Sequence, residues 1–304
     1  MNTRDAAPKV ALYWDFENFH AILANLEFGE HFYRENRFTP QPPLVDLTPV
    51  LEYAASLGDI TINRAYGNWQ WFANYRHQLN AAGVDLIQMF PRGQHMKNSA
   101  DIRMALDALS DVHLHPHITH VVVVSSDSDF ISLAQKVKQG GRFIAGVGVA
   151  GFSNRFLVAS CNEFKFYHTL REQPAGGGEV PRTGGTPMPP VSGAPEGISP
   201  PTLEEARHAL QRALRQCLER RGENYIDCAL LKQVLLRLLP AFDERALGCS
   251  TFSAFLDRFP ELLRWVDRDA GGHVALVGEE GSGVGTGSPP APELGPDESS
   301  GTPQ

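Results

Sequence analysis

Little in this chain invites cross-linking or membrane insertion. Its four cysteines, at 161, 217, 228 and 249 of 304 residues, form no CxxC pair and stand at no His/Cys spacing suited to zinc. That argues against a disulfide scaffold or a structural zinc site, and leaves reduced thiols in a cytoplasmic protein as the expectation. No stretch approaches the roughly 20 consecutive apolar residues of a membrane helix. The opening "MNTRDAAPKV" carries no apolar signal core. Net positive charge is also missing, at −8 overall, but the deficit is uneven: residues 278–304 hold five acids and no Lys or Arg, whereas residues 202–277 hold eleven of each sign. Most of the excess therefore sits in a Gly/Pro/Ser-rich tail, and a nucleic-acid partner is not excluded.

Length and a hydrophobic content of 42% allow one α/β domain plus a smaller one. Residues 1–173 alternate β-rich runs, "KVALYW", "ITINRAY", "VDLIQMF", "THVVVV", "RFIAGVGV" and "EFKFYH", with helix-length amphipathic segments. Such alternation predicts a mostly parallel sheet covered by helices on both faces. Thr48 is the expected N-cap of "TPVLEYAASLG", with Pro49 at the first helical position. Trp69, Phe72, Arg76 and Leu79 recur as a helical stripe that leaves Trp71 and Tyr75 off the packed face. "FGEHFYRENRFTPQPP" reads as a loop or small insertion near the mouth of the sheet.

From Pro174 to Pro201 the composition turns to Gly, Pro and Ser and predicts a flexible linker. Residues 202–277 then offer three helical segments followed by two short β runs around "DAGG", the order of a winged helix, and residues 278–304 are expected to be a disordered tail.

The chemistry concentrates at strand ends. Asp15 follows "VALYW", and Asp127 and Asp129 follow "HVVVV", so two strands deliver carboxylates to one rim, where open parallel sheets collect ligands. Asp101 stands in the first turn of the helix in "KNSADIRMALDAL", capped by Asn98 or Ser99, and Asn18 lies one turn beyond Asp15. Acids crowded together raise one another's pKa unless a cation compensates. Oxygen-only ligands suit Mg²⁺ or Mn²⁺, which can activate water for attack on a phosphodiester. Lys97 supplies a charge for a phosphate oxygen. "GVGVAG" fits GxGxxG but follows the fifth strand rather than the first, so a tight turn is the better reading than a nucleotide site. The histidines of "DVHLHPHITH" read as a polar loop.

The segments "YWDFENFH", "KNSADIRMALDAL", "VVVVSSDSDF" and "GVGVAGFSNRFLVASCNEFKF", in that order over nearly all of residues 9–168, resemble the NYN family, a branch of the PIN-like nucleases. The resemblance implies a PIN-like three-layer α/β/α sandwich and metal-dependent endoribonuclease chemistry. The family's acids fall on Asp15, Asp101, Asp127 and Asp129, with Asn18 completing the first motif, and Ser126 stands where many relatives carry glycine. Residues 202–277 are similar to the OST-HTH/LOTUS module, a small winged-helix domain associated with RNA. There Arg212, Arg215, Arg220 and Arg221 on the first helix, with Lys232 and Arg237 on the second, are the candidate phosphate contacts. A non-cleaving RNA-binding regulator and a metal-dependent nucleotide phosphohydrolase are the rival functions. Single-stranded DNA stays open beside RNA as a substrate, since nothing in the sequence identifies a reader of the 2′-hydroxyl.

Overall fold

The computed structural model describes residues 7–90, 99–172, 197–221, 225–268 and 272–277, with residues 219–221 described by their backbone alone. β1 (Lys9–Asp15) runs into α1 (Phe16–Phe28), followed by α2 (Phe32–Asn36), α3 (Thr48–Leu57), β2 (Asp59–Gly67), α4 (Arg76–Ala81), β3 (Asp85–Gln88) and α5 (Ser99–Leu114). Then come β4 (His120–Val124), α6 (Ile131–Gln139), β5 (Phe143–Gly148), β6 (Ser153–Asn154), α7 (Arg155–Ser160), β7 (Glu163–Phe166) and α8 (Tyr167–Arg171). A two-residue strand, β8 (Gly197–Ile198), precedes the second domain of α9 (Leu203–Arg221), β9 (Ile226–Asp227), α10 (Cys228–Leu238), α11 (Phe252–Leu256), β10 (Leu263–Asp267) and β11 (His273–Leu276).

Six strands form one parallel sheet in the order β3-β2-β1-β4-β5-β7. Strand β1 shows why it is central. Val10, Leu12 and Trp14 enter the core on one face, and Ala11 and Tyr13 enter the core on the other. Period-two alternation with both sets apolar is what a doubly covered strand requires. The strand order reverses between β1 and β4, so the crevice beyond their carboxyl ends is the topological switch point.

Some local expectations need correction. Thr48 is the first residue of α3 rather than its cap: Leu47 stands at the cap position without a side-chain hydrogen bond, and Asp46 Oδ1 accepts the Thr48 N–H at 3.0 Å. The stripe from Trp69 to Leu79 is not one helix. β2 continues to Gly67, and only a 3-10 turn at Ala73–Tyr75 and the short α4 are helical, leaving Arg76 exposed. Tyr75, expected off the packed face, is fully buried: its hydroxyl accepts the N–H groups of Leu44 and Val45 at 2.7 and 2.9 Å and thereby ties down the chain after α2. Part of the segment read as a loop over residues 27–43 is helical, in the end of α1 and in α2. In "GVGVAG", a Cβ at Gly146 or Gly148 would lie 2.4 and 2.7 Å from the ring of Phe164, so these glycines make room for an aromatic ring.

The second domain has the winged-helix order, with a β10–β11 hairpin and a third strand, β9, that the sequence reading did not contain. Gly197–Ile198, at the end of the expected linker, pairs antiparallel with Ser153–Asn154. The two domains also meet directly. Phe164 N–H donates to Pro240 O at 2.8 Å, and Lys165 Nζ lies 2.8 Å from Asp243 and 3.3 Å from Glu163. Burial alone would lower the Lys165 pKa, but the two carboxylates outweigh it and hold the ammonium charged. No helix among the described residues is long and apolar enough to cross a membrane, and all four cysteines are free.

Candidate active site

Asp15 closes β1 and Ser125 follows β4, so the switch point brings them side by side. Ser125 Oγ donates to Asp15 Oδ2 at 2.8 Å and also accepts the Asp127 N–H at 3.1 Å. One hydroxyl thus sets both the orientation of the Asp15 carboxylate and the start of the Asp127 turn. Asp15 is only 3% exposed. Its pKa is raised well above the ordinary carboxylate range, first by burial and then by Asp101, with Asp127 and Glu17 adding to the rise and the Ser125 hydrogen bond opposing it.

Asp127 has two tasks. Its Oδ1 accepts the Asp129 N–H at 3.0 Å, capping the 3-10 turn Ser128–Phe130 that leads into α6. Its Oδ2 accepts from Asn18 Nδ2 at 3.3 Å, which links the turn after β4 to α1. Asp129 is exposed at the lip of the same turn.

Asp101 arrives from a third direction. α5 crosses from β3 to β4, which puts its N-terminus on the rim, and its far half is anchored to the sheet. Tyr13 Oη donates to Asp111 Oδ2 at 2.8 Å, Arg64 pairs with the same carboxylate, and Tyr66 Oη donates to Asp107 Oδ2 at 2.9 Å. Asp101 is half-buried, and its pKa is pushed up to about 6 by burial, then by Asp127 and Asp129. The four acids expected from the sequence therefore share one electrostatic field. Lys97 and Asn98 lie outside the described residues.

Two contributors went unread in the sequence. Ser125 was hidden in a plain serine pair. Glu17, between Asp15 and Asn18, holds the far wall of the rim, its Oε1 accepting from the Tyr33 hydroxyl at 2.9 Å and its Oε2 from the Asn68 N–H at 3.1 Å. Its signal was its place inside "DFEN".

Among the described residues, no group of three or more His, Cys, Asp or Glu side chains is gathered tightly enough to hold an ion by direct ligation alone. The donor set nonetheless suits a hard cation. Asp15 is a buried carboxylate faced by other acids, and among the described residues no cation stands with the groups that act most strongly on it. Mg²⁺ tolerates an open arrangement because it keeps several waters and takes one or two carboxylates directly.

On the second domain, Arg212 and Arg215 are exposed on α9, and Arg237 is exposed on α10. The side chains of Arg220 and Arg221 lie outside the described residues. Lys232 is set apart from these arginines: its Nζ is 2.6 Å from Glu244 and 5.6 Å from the Phe252 ring centroid, at a cleft of about 410 Å³ between the domains.

A parallel sheet with converging acids at its switch point, joined to a winged helix, defines a PIN-like nuclease fold with an appended helix-turn-helix module. The NYN domain profile matches residues 9–168 and the OST-HTH/LOTUS domain profile matches residues 202–275. This chain belongs to the NYN family and carries an OST-HTH/LOTUS domain after it. An uncharacterized protein of Methanocaldococcus jannaschii is 31% identical over 114 residues, covering 36% of this chain and 42% of that protein, so the chain spans less than half of that relative. A crystal structure of a protein of unknown function from Vibrio parahaemolyticus aligns with 55% of this chain and 96% of its own, at 20% identity and a TM-score of 0.43.

Proposed function

We propose that the protein is a cytoplasmic, metal-dependent endoribonuclease in which the NYN domain hydrolyses RNA phosphodiesters and the winged helix binds or selects the RNA. The observation that carries this reading is the buried Asp15 carboxylate, which feels Asp101 and Asp127 beside it at the switch point. Asp15, Asp101, Asp127 and Asp129 would hold Mg²⁺ or Mn²⁺. When bound, such an ion activates a water and stabilises the charge that develops on the phosphate during in-line displacement.

The chain's own residues do the positioning. Ser125 locks the rotamer of Asp15, Asn18 steadies Oδ2 of Asp127, and Glu17 holds the Asn68 loop against the rim. Lys97 is assigned to a non-bridging oxygen of the scissile phosphate. Arg212, Arg215, Arg220, Arg221, Lys232 and Arg237 are assigned to backbone phosphates of the captured strand, a contact that carries affinity and little sequence information.

A non-cleaving RNA-binding regulator is the second reading, favoured by the lack of a tightly gathered ligand group among the described residues. Cleavage of an end-labelled single-stranded RNA and of a circular RNA by wild type and Asp127→Asn protein, in Mn²⁺, Mg²⁺ or EDTA, separates the two. The nuclease reading expects both substrates to be cut with metal, neither in EDTA, and neither appreciably by the variant. RNA bound but never cut under any metal supports the regulator, and cutting that is undiminished in Asp127→Asn removes the metal-site assignment.

A further inference from the structure

A large exposed aromatic near the acid rim belongs to none of the hydrophobic cores of the described residues. Phe156 is 56% exposed, although an aromatic ring ordinarily gains most by burial. The Arg155 guanidinium lies 4.7 Å from its ring centroid. The placement is specific, because the Asn154 N–H donates to Ser126 O at 3.3 Å and Ser126 directly precedes Asp127. Ser126 Oγ in turn accepts the Val149 N–H at 2.9 Å and lies 3.2 Å from Ser153 Oγ. The Ser126 side chain thus stitches the Asp127 turn to the segment that bears Phe156.

The platform is also held rigidly. Asn154 Oδ1 accepts the Phe156 N–H at 2.8 Å, capping α7 and fixing the backbone of Phe156 itself. On its other side the segment is paired with β8, where Gly197 passes so close to Gly151 that a Cβ would lie 1.9 Å from the Gly151 carbonyl oxygen. A solvent-facing ring on a hydrogen-bonded backbone, partnered by a guanidinium, is the kind of surface on which single-stranded nucleic-acid bases stack.

We propose that Arg155 and Phe156 form a nucleobase-stacking subsite, which receives a base next to the scissile phosphate on the β5 side of the rim. The proposal rests on the reading of the rim as an RNA site. It assigns the base to the open face of Phe156, and Arg155, which lies over the ring, to the neighbouring phosphate. Because every base has a π-face, the subsite sets the register of the strand over the acids without selecting its sequence.

The test uses the full chain in EDTA, so that binding is read without cutting. RNA decamers carry 2-aminopurine at successive positions, and stacking quenches its fluorescence. Wild type is expected to quench one position strongly, Phe156→Ala to lose that quenching while binding the short RNA roughly 5- to 150-fold more weakly, and Phe156→Trp to restore it. Since Phe156 is exposed, the alanine variant leaves the core intact. Identical quenching profiles in wild type and Phe156→Ala, or no quenched position in wild type, would overturn the subsite. Cleavage reports separately: a protein that stacks the base and never cuts keeps the subsite and loses the nuclease, and one that cuts RNA with Phe156 indifferent keeps the nuclease and loses the subsite.

Discussion

In the proposed function the acid rim and the arginine face of α9 both serve a phosphodiester chain, yet they are built on opposite plans. At the rim, Asp15 is oriented by Ser125, and burial, then the neighbouring acids, push its pKa well above the ordinary carboxylate range. On α9, Arg212 and Arg215 stand exposed at one edge of a long helix whose opposite face, Ala206, Leu210, Ala213 and Leu214, packs the small domain's core. Chemistry needs reacting groups held to fractions of an ångström, whereas capture of a flexible polyanion needs only charge within reach. The difference teaches which residues should respond sharply to substitution and which should respond by small increments.

The largest effect should come where the two regions join. Lys165→Met leaves Glu163 and Asp243 facing each other at the seam without their cation, which should cost about 3–5 kcal/mol of stability. The triple variant Lys165→Met, Glu163→Gln, Asp243→Asn should recover most of that loss, because it removes the uncompensated charge. Urea unfolding of the three proteins checks this, and a single-variant loss below about 1 kcal/mol would mean that the seam is wet and the domains are only loosely joined.

Next in size is Asp15→Asn. Cleavage should fall by at least about a hundredfold, the low end for losing a preorganised electrostatic group, while the metal-free protein becomes more stable. The sign follows from linkage. Asp15 has a folded pKa above its unfolded value of about 3.9. Below pH 4 both states hold the proton and nothing is lost. As pH rises through that value the unfolded chain releases its proton first, so ionisable Asp15 increasingly destabilises the fold. Thermal unfolding in EDTA should therefore show Asp15→Asn ahead of wild type at pH 7.5 and level with it near pH 4. Added Mg²⁺ should narrow the gap at pH 7.5 by stabilising wild type alone. Ser125→Ala should sit between, with cleavage reduced roughly 10- to 100-fold, the usual range for a group that orients a metal ligand.

Much of this was legible in the sequence because strands announce themselves by continuous apolar runs, and carboxylates at strand ends are conspicuous. "KVALYW" and "THVVVV" marked two strands whose ends deliver acids to one rim. What was not legible depended on contacts distant in sequence. Ser125 matters only because β4 lies beside β1, and Tyr75 is buried only because Leu44 and Val45 return to its hydroxyl. The aromatic run from Trp69 to Leu79 misled because helical spacing of large side chains also arises when a loop is folded down onto a core. Thr48 looked like a cap until Asp46, two residues upstream, took the amide.

The smallest expected effect is the most telling about the second domain. If Arg212 and Arg215 each neutralise one phosphate of a single strand, the double alanine variant should flatten the slope of log affinity against log salt by about 1.4, from about 0.7 per phosphate contact. Affinity should drop uniformly across RNA sequences, since phosphate contacts carry no base information. Cleavage of a short RNA at saturating concentration should not change, because neither arginine is placed at the rim. An unaltered salt slope would remove Arg212 and Arg215 from RNA capture and leave it to other residues. A loss confined to particular sequences would mean that this exposed helix face reads bases, and the contrast between an ordered site and a diffuse one would then no longer separate the two domains.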